Sequence, residues 1–226
     1  RRSPVVVTSP DGNGALADAQ SLTLGYRHAC VLEGSFQKAV VCWGYNTSGQ
    51  VGDNSRTNAL TPVRVGGPLS PIKVSAGRLH TCSLEQSGAV MCWGENGSGE
   101  LGTGDNVDRL GAYLMAVPPR ANDLWAAGRN TCIRMAPHRE GLPNRLLCSG
   151  NSYWGTLGDG NFSSRTQPIN IPDHAGLAHV EGGAHHTCGR TAAGTVGCWG
   201  VNAHGRLGDG AADWNAAGIQ LILPVH

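Results

Sequence analysis

The chain has 226 residues, with 17 Lys and Arg balanced by 16 Asp and Glu for a net charge of +1; a polyanion binder would carry a basic stripe, and none is present. Only 12 residues are Phe, Trp or Tyr while 34 are Gly, about twice the usual ~7% share, so large side chains do not fill the core. The glycines lack the three-residue period of collagen, and no apolar run approaches the ~18 residues of a membrane helix.

Residues 1–19 read as an N-terminal segment. It opens on Arg1-Arg2-Ser3-Pro4, with no signal-peptide apolar stretch, as expected of a mature or excised chain. Its Pro4-Val-Val-Val7 reads as a spare strand belonging to a preceding repeat. Four units follow. In residues 20–71, Gly25-Tyr-Arg-His-Ala-Cys30 precedes Val40-Val-Cys-Trp-Gly44, a loop Asn46-Thr-Ser-Gly-Gln-Val-Gly52, and Pro62-Val-Arg-Val65. In residues 72–121 the same order predicts four strands, Ile72–Ala76, His80–Glu85, Ala89–Trp93 and Ala112–Met115. In residues 122–177 the pattern weakens: Asn130 stands at the His position and Ser149 at the Trp position, before Ser152-Tyr-Trp-Gly-Thr-Leu-Gly158 and Pro168-Ile-Asn-Ile171. Residues 178–226 restore it with Gly183-Ala-His-His-Thr-Cys188, Val196-Gly-Cys-Trp-Gly200 and Asn202-Ala-His-Gly-Arg-Leu-Gly208, then Gly218-Ile-Gln-Leu221. Short runs rich in Val, Leu, Ile and Thr, without helical period, predict strands. Four such strands per ~50 residues predict an all-β chain of propeller blades.

The eight cysteines fall two to a unit. Cys82 and Cys92 flank Gln86-Ser87-Gly88, and Cys188 and Cys198 flank Ala192-Ala193-Gly194. Directly opposed residues in an antiparallel hairpin have Cα atoms close enough for a disulfide. The expected pairs are Cys30–Cys42, Cys82–Cys92, Cys132–Cys148 and Cys188–Cys198. Their spacing is unlike the paired C-x₂₋₄-C knuckles of structural zinc, and disulfides imply an oxidising compartment.

The pattern G-x-x-H-T-C … V-x-C-W-G-x-N-x-x-G-x-L-G … P resembles the regulator of chromosome condensation repeat family, from Gln20 to about Leu221. The resemblance implies a β-propeller, commonly closed by seven blades. The nuclear founding member is a guanine-nucleotide exchange factor for a small GTPase and binds nucleosomes; secreted, cysteine-containing members, one of them an inhibitor of β-lactamases, use the scaffold as a binding surface. Four units and a spare strand are expected to form an open arc of a larger propeller, with a closed four-bladed ring as the alternative.

His28, His80 and His186 recur at one repeat position. A ring of metal or anion ligands is one reading, and a structural bond to a neighbouring turn in each blade is the other. Trp43, Trp93 and Trp199 recur after the second cysteine and are expected to pack against the adjacent disulfide. Tyr153, Trp154, Trp214 and His185 break the repeat. Loop aromatics on rigid elements make contact anchors, so these four are the candidate binding residues, with Arg109, Tyr113, Arg139 and Arg165 secondary. Asp53, Asp105, Asp159 and Asp209 read as turn residues, without the ligand pattern of an EF-hand. Asn46, Asn96 and Asn161 head N-x-S/T sequons and are candidate glycosylation sites. No G-x-S-x-G, H-E-x-x-H or phosphate-loop motif occurs, so no catalytic residue, metal or cofactor is expected. The expectation is a non-catalytic extracellular scaffold that binds a protein or copies of itself through loops or open blade edges. The alternatives are a carbohydrate-binding module and, less favoured, an exchange factor.

Overall fold

The computed structural model describes residues 2–211 apart from 36–37, 68, 138, 140–143 and 173–175. The fold is all-β. One sheet comprises β1 (Ala19–Leu24), β2 (His28–Glu33), β3 (Ala39–Gly44) and β4 (Ala59–Arg64). The second comprises β5 (Pro71–Ala76), β6 (His80–Glu85), β7 (Val90–Gly94) and β8 (Arg109–Leu114), and the third β9 (Ala121–Ala127), β10 (Asn130–Met135), β11 (Arg145–Gly150) and β12 (Arg165–Asn170). The fourth shows β13 (Leu177–Gly182), β14 (His186–Thr191) and β15 (Val196–Gly200) among the described residues. Each sheet is an antiparallel meander in chain order. The first strand of each packs on the first strand of the next, β1 on β5, β5 on β9 and β9 on β13, as blades around an axis. Residues 4–7 belong to no strand; Thr8 bridges Ala15 behind them.

The last strand of each unit starts earlier than its β-branched residues suggest. Sequence alone places it at 62–65, 112–115 and 168–171, whereas the ladders run over 59–64, 109–114 and 165–170. The reason is an irregularity one residue past each second cysteine, after which Gly44 pairs with Ala59, Gly94 with Arg109 and Gly150 with Arg165. These glycines have φ of 110, 106 and 113°, a region closed to most L-residues. A Cβ on them would lie 2.6, 2.5 and 2.3 Å from the carbonyl oxygens of Arg27, Leu79 and Arg129. The same bulge makes the third strand of the second unit Val90–Gly94 rather than 89–93. The strand expected at 218–221 lies outside the described residues.

Register places Cys30 opposite Cys42, Cys82 opposite Cys92, Cys132 opposite Cys148 and Cys188 opposite Cys198. All four disulfides form, with Cα atoms 4.0–4.1 Å apart. The sulfurs of the first three disulfides are part of the core, and Cys188–Cys198 is half-buried. Cys30 and Cys42 are clustered with Leu32, Val40, Val51, Val74 and Trp93, and Cys132 and Cys148 with Leu146, Leu157, Val180 and Trp199. Trp93 and Trp199 thus join the core of the blade before their own.

The same joint is closed by polar bonds at one repeat position. His28 Nε2 lies 2.8 Å from Thr81 Oγ1, and His80 Nε2 lies 2.9 Å from Thr131 Oγ1. The threonine hydroxyls in turn donate to the carbonyls of Gln50 and Glu100 in the preceding blade. The Trp93 indole also donates to the Gln50 carbonyl at 3.0 Å, as Trp199 does to that of Thr156. The first two joints therefore run a hydrogen-bonded seam beside their apolar cores, although His28 Nδ1, His80 Nδ1 and Gln50 Nε2 are buried there without a partner.

Candidate binding site between the third and fourth blades

The turn between the first two strands of each blade comes to the same end of the fold. The four turns are Gly25-Tyr26-Arg27, Gly77-Arg78-Leu79, Ala127-Gly128-Arg129 and Gly183-Ala184-His185. They rim a cleft of about 800 Å³ walled by residues of β1, β5, β9 and β13, with Ser21–Tyr26 and Glu181–His185 among its lining. Adjacent turns are tied by backbone bonds, Tyr26 N–H to the Arg78 carbonyl and Arg78 N–H to the Gly128 carbonyl.

Every turn carries a basic side chain. The Arg27 guanidinium stands 5.3 Å from the Tyr26 ring and 5.6 Å from the Tyr45 ring, and that of Arg78 stands 5.7 Å from Tyr26. Such cation–π contacts place a cation while leaving its charge unneutralised. Among the described residues neither arginine has a carboxylate within ion-pair distance. Arg129 is paired twice, with Glu95 at 3.3 Å and Glu100 at 3.0 Å. Glu100 is fully buried. Burial raises its pKa, opposed by the Ser98 N–H, its own backbone N–H and Arg129.

The third blade departs from the repeat where these turns meet the fourth. Asn130 takes the histidine position and is too short to make the bond of His28 and His80 to the next blade; its Oδ1 is buried without a partner. A pocket of about 230 Å³ opens there, lined by Arg78, Arg129, Asn130, Tyr153, Trp154 and His185 with their neighbours. Where the second blade has Gly97-Ser98, the third carries Tyr153-Trp154. Their rings are 6.5 Å apart and tilted by 56°, with the residues 72% and 46% exposed. The loop is anchored: Asn151 accepts from the Tyr153 N–H, and its Nδ2 donates to Ser98 Oγ of the second blade. The arrangement is a small polar pocket with a basic floor and an aromatic lip.

Three of the four residues nominated by sequence, Tyr153, Trp154 and His185, thus line or rim one pocket, and the fourth, Trp214, lies outside the described residues. Arg78, Arg129 and Asn130 were missed. A signal existed, since the two residues after the turn glycine, or its equivalent Ala127, include a basic one in every unit. The secondary arginines are satisfied within their own blades. Arg109 bonds Asp105 and covers the Tyr113 ring at 4.3 Å, and Arg165 bonds Asp159; Arg139 is exposed away from the pocket.

The recurring histidines serve the joints. Burial lowers the His28 pKa to about 4 and the His80 pKa to about 3, leaving both neutral. The metal-ring reading has no support, since no cluster of three His, Cys, Asp or Glu occurs among the described residues. The sequon asparagines divide. Asn46 and Asn96 are 0% exposed, and their amide nitrogens bond to Asp53, Ser55 and Thr57, and to Thr103, Asp105 and Val107. Neither leaves room for a sugar in the folded chain; Asn161 is exposed. Asp53, Asp105, Asp159 and Asp209 each accept from the backbone N–H two residues on, as turn residues do.

The fold and its joints define a propeller-type repeat scaffold. Residues 39–84 and 72–100 match the regulator of chromosome condensation (RCC1) repeat. Residues 39–100 thus carry that repeat. It is 28% identical over 207 residues to the ultraviolet-B receptor UVR8 of Arabidopsis thaliana, covering 87% of this chain and 44% of the receptor. It is 30% identical over 193 residues to the E3 ubiquitin-protein ligase HERC2 of Homo sapiens, covering 83% of this chain and 4% of the ligase. Among solved structures it resembles human WBSCR16, with a TM-score of 0.76 at 19% identity over 91% of this chain and 53% of that one. It also resembles Prp20p of Saccharomyces cerevisiae, with a TM-score of 0.75 at 18% identity over 91% of this chain and 51% of the yeast protein. The chain therefore spans about half the length of these solved propellers and less than half of the curated relatives.

Proposed function

We propose that this chain is a non-catalytic scaffold of an oxidising, extracellular compartment that engages a protein partner through the rim of turns carrying Arg78, Tyr153, Trp154 and His185. The observation that carries this reading is the exposed Tyr153–Trp154 pair on a loop tied to the neighbouring blade, beside Arg78, which has no acidic partner among the described residues. Tyr, Trp and Arg are the side chains that most often anchor protein interfaces. Four disulfides support the compartment, since such bonds persist outside the reducing cytosol. The binding of Prp20p to Gsp1p and histones supports a protein as the partner of a surface built this way.

The test is affinity capture from the secretions and extracts of the source organism, with the wild-type chain, a Tyr153→Ala/Trp154→Ala variant and a Phe162→Ala control. A captured set lost from the double variant and kept by Phe162→Ala supports the reading; a set unchanged in the double variant overturns it. The compartment is tested by mass on natural material: reduction adds eight hydrogens if all eight cysteines are paired, and none if the chain is stored as free thiols.

A further inference from the structure

We propose that the pocket between the third and fourth blades holds a side-chain carboxylate of the partner, an Asp or Glu on an exposed acidic segment, with Arg78 as its principal counter-ion. This assignment rests on the reading that the rim binds protein, and goes beyond it by naming the chemistry recognised.

Three observations carry it. The first is charge. Arg78 and Arg129 line the cleft and Arg27 stands on the adjoining turn; Glu95 and Glu100 are both committed to Arg129, and Glu181, which also lines the cleft, lies 3.1 Å from His179 Nε2. Arg27 and Arg78 are left with aromatic neighbours only. Second is geometry: a guanidinium presents a planar fork that matches a carboxylate in a two-point bond, which a lysine does not. Arg78 lines both the cleft and the pocket, so a segment lying along the cleft can turn one acid into the pocket beneath it. Third is size. About 230 Å³ falls below the roughly 300–1,000 Å³ of small-molecule sites and suits one side chain with its backbone. Trp154 and Tyr153 then cover the bound acid, and excluding water there strengthens its pairing with Arg78.

The experiment measures calorimetric binding and tryptophan fluorescence for the whole chain, with its disulfides intact, against the capped peptide Gly-Asp-Glu-Asp-Glu-Gly. The comparison probes are its amide counterpart Gly-Asn-Gln-Asn-Gln-Gly and sodium sulfate. The variants are Arg78→Ala, Trp154→Phe and the control Arg145→Ala, which removes a surface arginine bonded to Asn170. Saturable binding of the acidic peptide is expected, weakened by salt. Loss of one charge-assisted contact corresponds to roughly 10- to 100-fold in affinity, expected for Arg78→Ala and for the amide peptide and absent in Arg145→Ala. The fluorescence change is expected to shrink in Trp154→Phe.

Equal binding of the two peptides, an Arg78→Ala variant that binds like wild type, binding of sulfate in place of the acidic peptide, or no binding at all each overturns the assignment. If the acidic peptide fails while partner capture still depends on Tyr153 and Trp154, the carboxylate assignment falls and the interaction face stands.

Discussion

The joint between the first and second blades and the joint between the third and fourth are built from equivalent positions, and they end differently. At the first, His28 reaches across to Thr81 at 2.8 Å, and Trp93 fills the core and donates to Gln50. At the second, Trp199 and Thr187 still bind the Thr156 carbonyl, but Asn130 makes no equivalent reach and a pocket stands open. The lesson is that the seam has two separable halves. The indole and threonine hold the blades together, while the histidine position decides whether the seam is sealed. The middle joint shows the opposite loss, for there His80 reaches Thr131 at 2.9 Å while Ser149 stands in for the tryptophan. Met115 stands beside Gly102 as Val65 stands beside Gly52, and Pro168 and Ser149 are the neighbours of Gly102 where Trp93 is the neighbour of Gly52.

The comparison is broken most completely by removing the covalent ties. A disulfide closing a loop of ~15 residues contributes about 3 kcal/mol, so reducing all four is expected to unfold the chain cooperatively, read by loss of near-ultraviolet circular dichroism. The Cys82→Ala/Cys92→Ala pair alone is expected to cost about 3 kcal/mol in denaturant unfolding, and little change would mean that the hairpin register stands without its bond. Trp93→Ala empties a fully buried site and is expected to cost as much or more, about 3–5 kcal/mol. Trp154→Ala, on the exposed lip, is expected to stay within about 0.5 kcal/mol. Equal losses from the two would dissolve the distinction between structural and surface tryptophans.

How much of this was legible follows from what repeats. The cysteine register, the four-stranded units and the blade order were readable because each signal occurs several times at a fixed offset, and Trp154, Tyr153 and His185 stood out by breaking it. The extent of β4, β8 and β12 was not, because the bulge at Gly44, Gly94 and Gly150 shifts the ladder toward residues with no β-branched signature, such as Arg109. Nor was the direction of packing: a Trp next to a Cys suggests contact with its own disulfide, whereas Trp93 clusters with Cys30 and Cys42 of the blade before. Arg78 and Arg129 were passed over because single arginines in turns read as solvated, and only the stacking of blades gathers them.

Acid sharpens the contrast between sealed and unsealed joints. Burial holds the folded-state pKa of His28 at about 4 and of His80 at about 3, both below the ordinary 6.5. The unfolded chain therefore takes up these protons first, and the stability due to the neutral rings is complete above pH 6.5 and lost as pH falls toward the folded values. Each histidine is expected to remove about 1.4 kcal/mol per pH unit in that window, so thermal unfolding at pH 5.5 is expected to lie below that at pH 7.5. Glu100, whose pKa burial raises, pulls the other way. The His80→Asn variant isolates the histidine term, and a variant with an unchanged acid limb would assign the loss to other groups.

The most specific effect arises because the histidine does not act alone. Three residues before it stand Gly25, Gly77 and Gly183, where a Cβ would fall 2.1, 2.1 and 2.3 Å from the imidazole Cε1 of His28, His80 and His186. In the third blade both positions change together, Ala127 with Asn130, so the methyl occupies space that the shorter side chain gives up. Gly77→Ala is therefore expected to strain the sealed joint by about 1–3 kcal/mol, the usual penalty for overpacking. Adding His80→Asn is expected to relieve that strain, so that the pair costs less than the sum of the single changes, a coupling that a double-mutant cycle in denaturant reads directly. The converse exchange, Ala127→Gly with Asn130→His, is expected to place an imidazole within reach of Thr187, as His28 reaches Thr81, and to fill the pocket, while Asn130→His alone clashes with the Ala127 methyl. Strictly additive energies in both cycles would mean that the two positions vary independently, and that the open joint reflects the loss of one histidine and not a paired exchange.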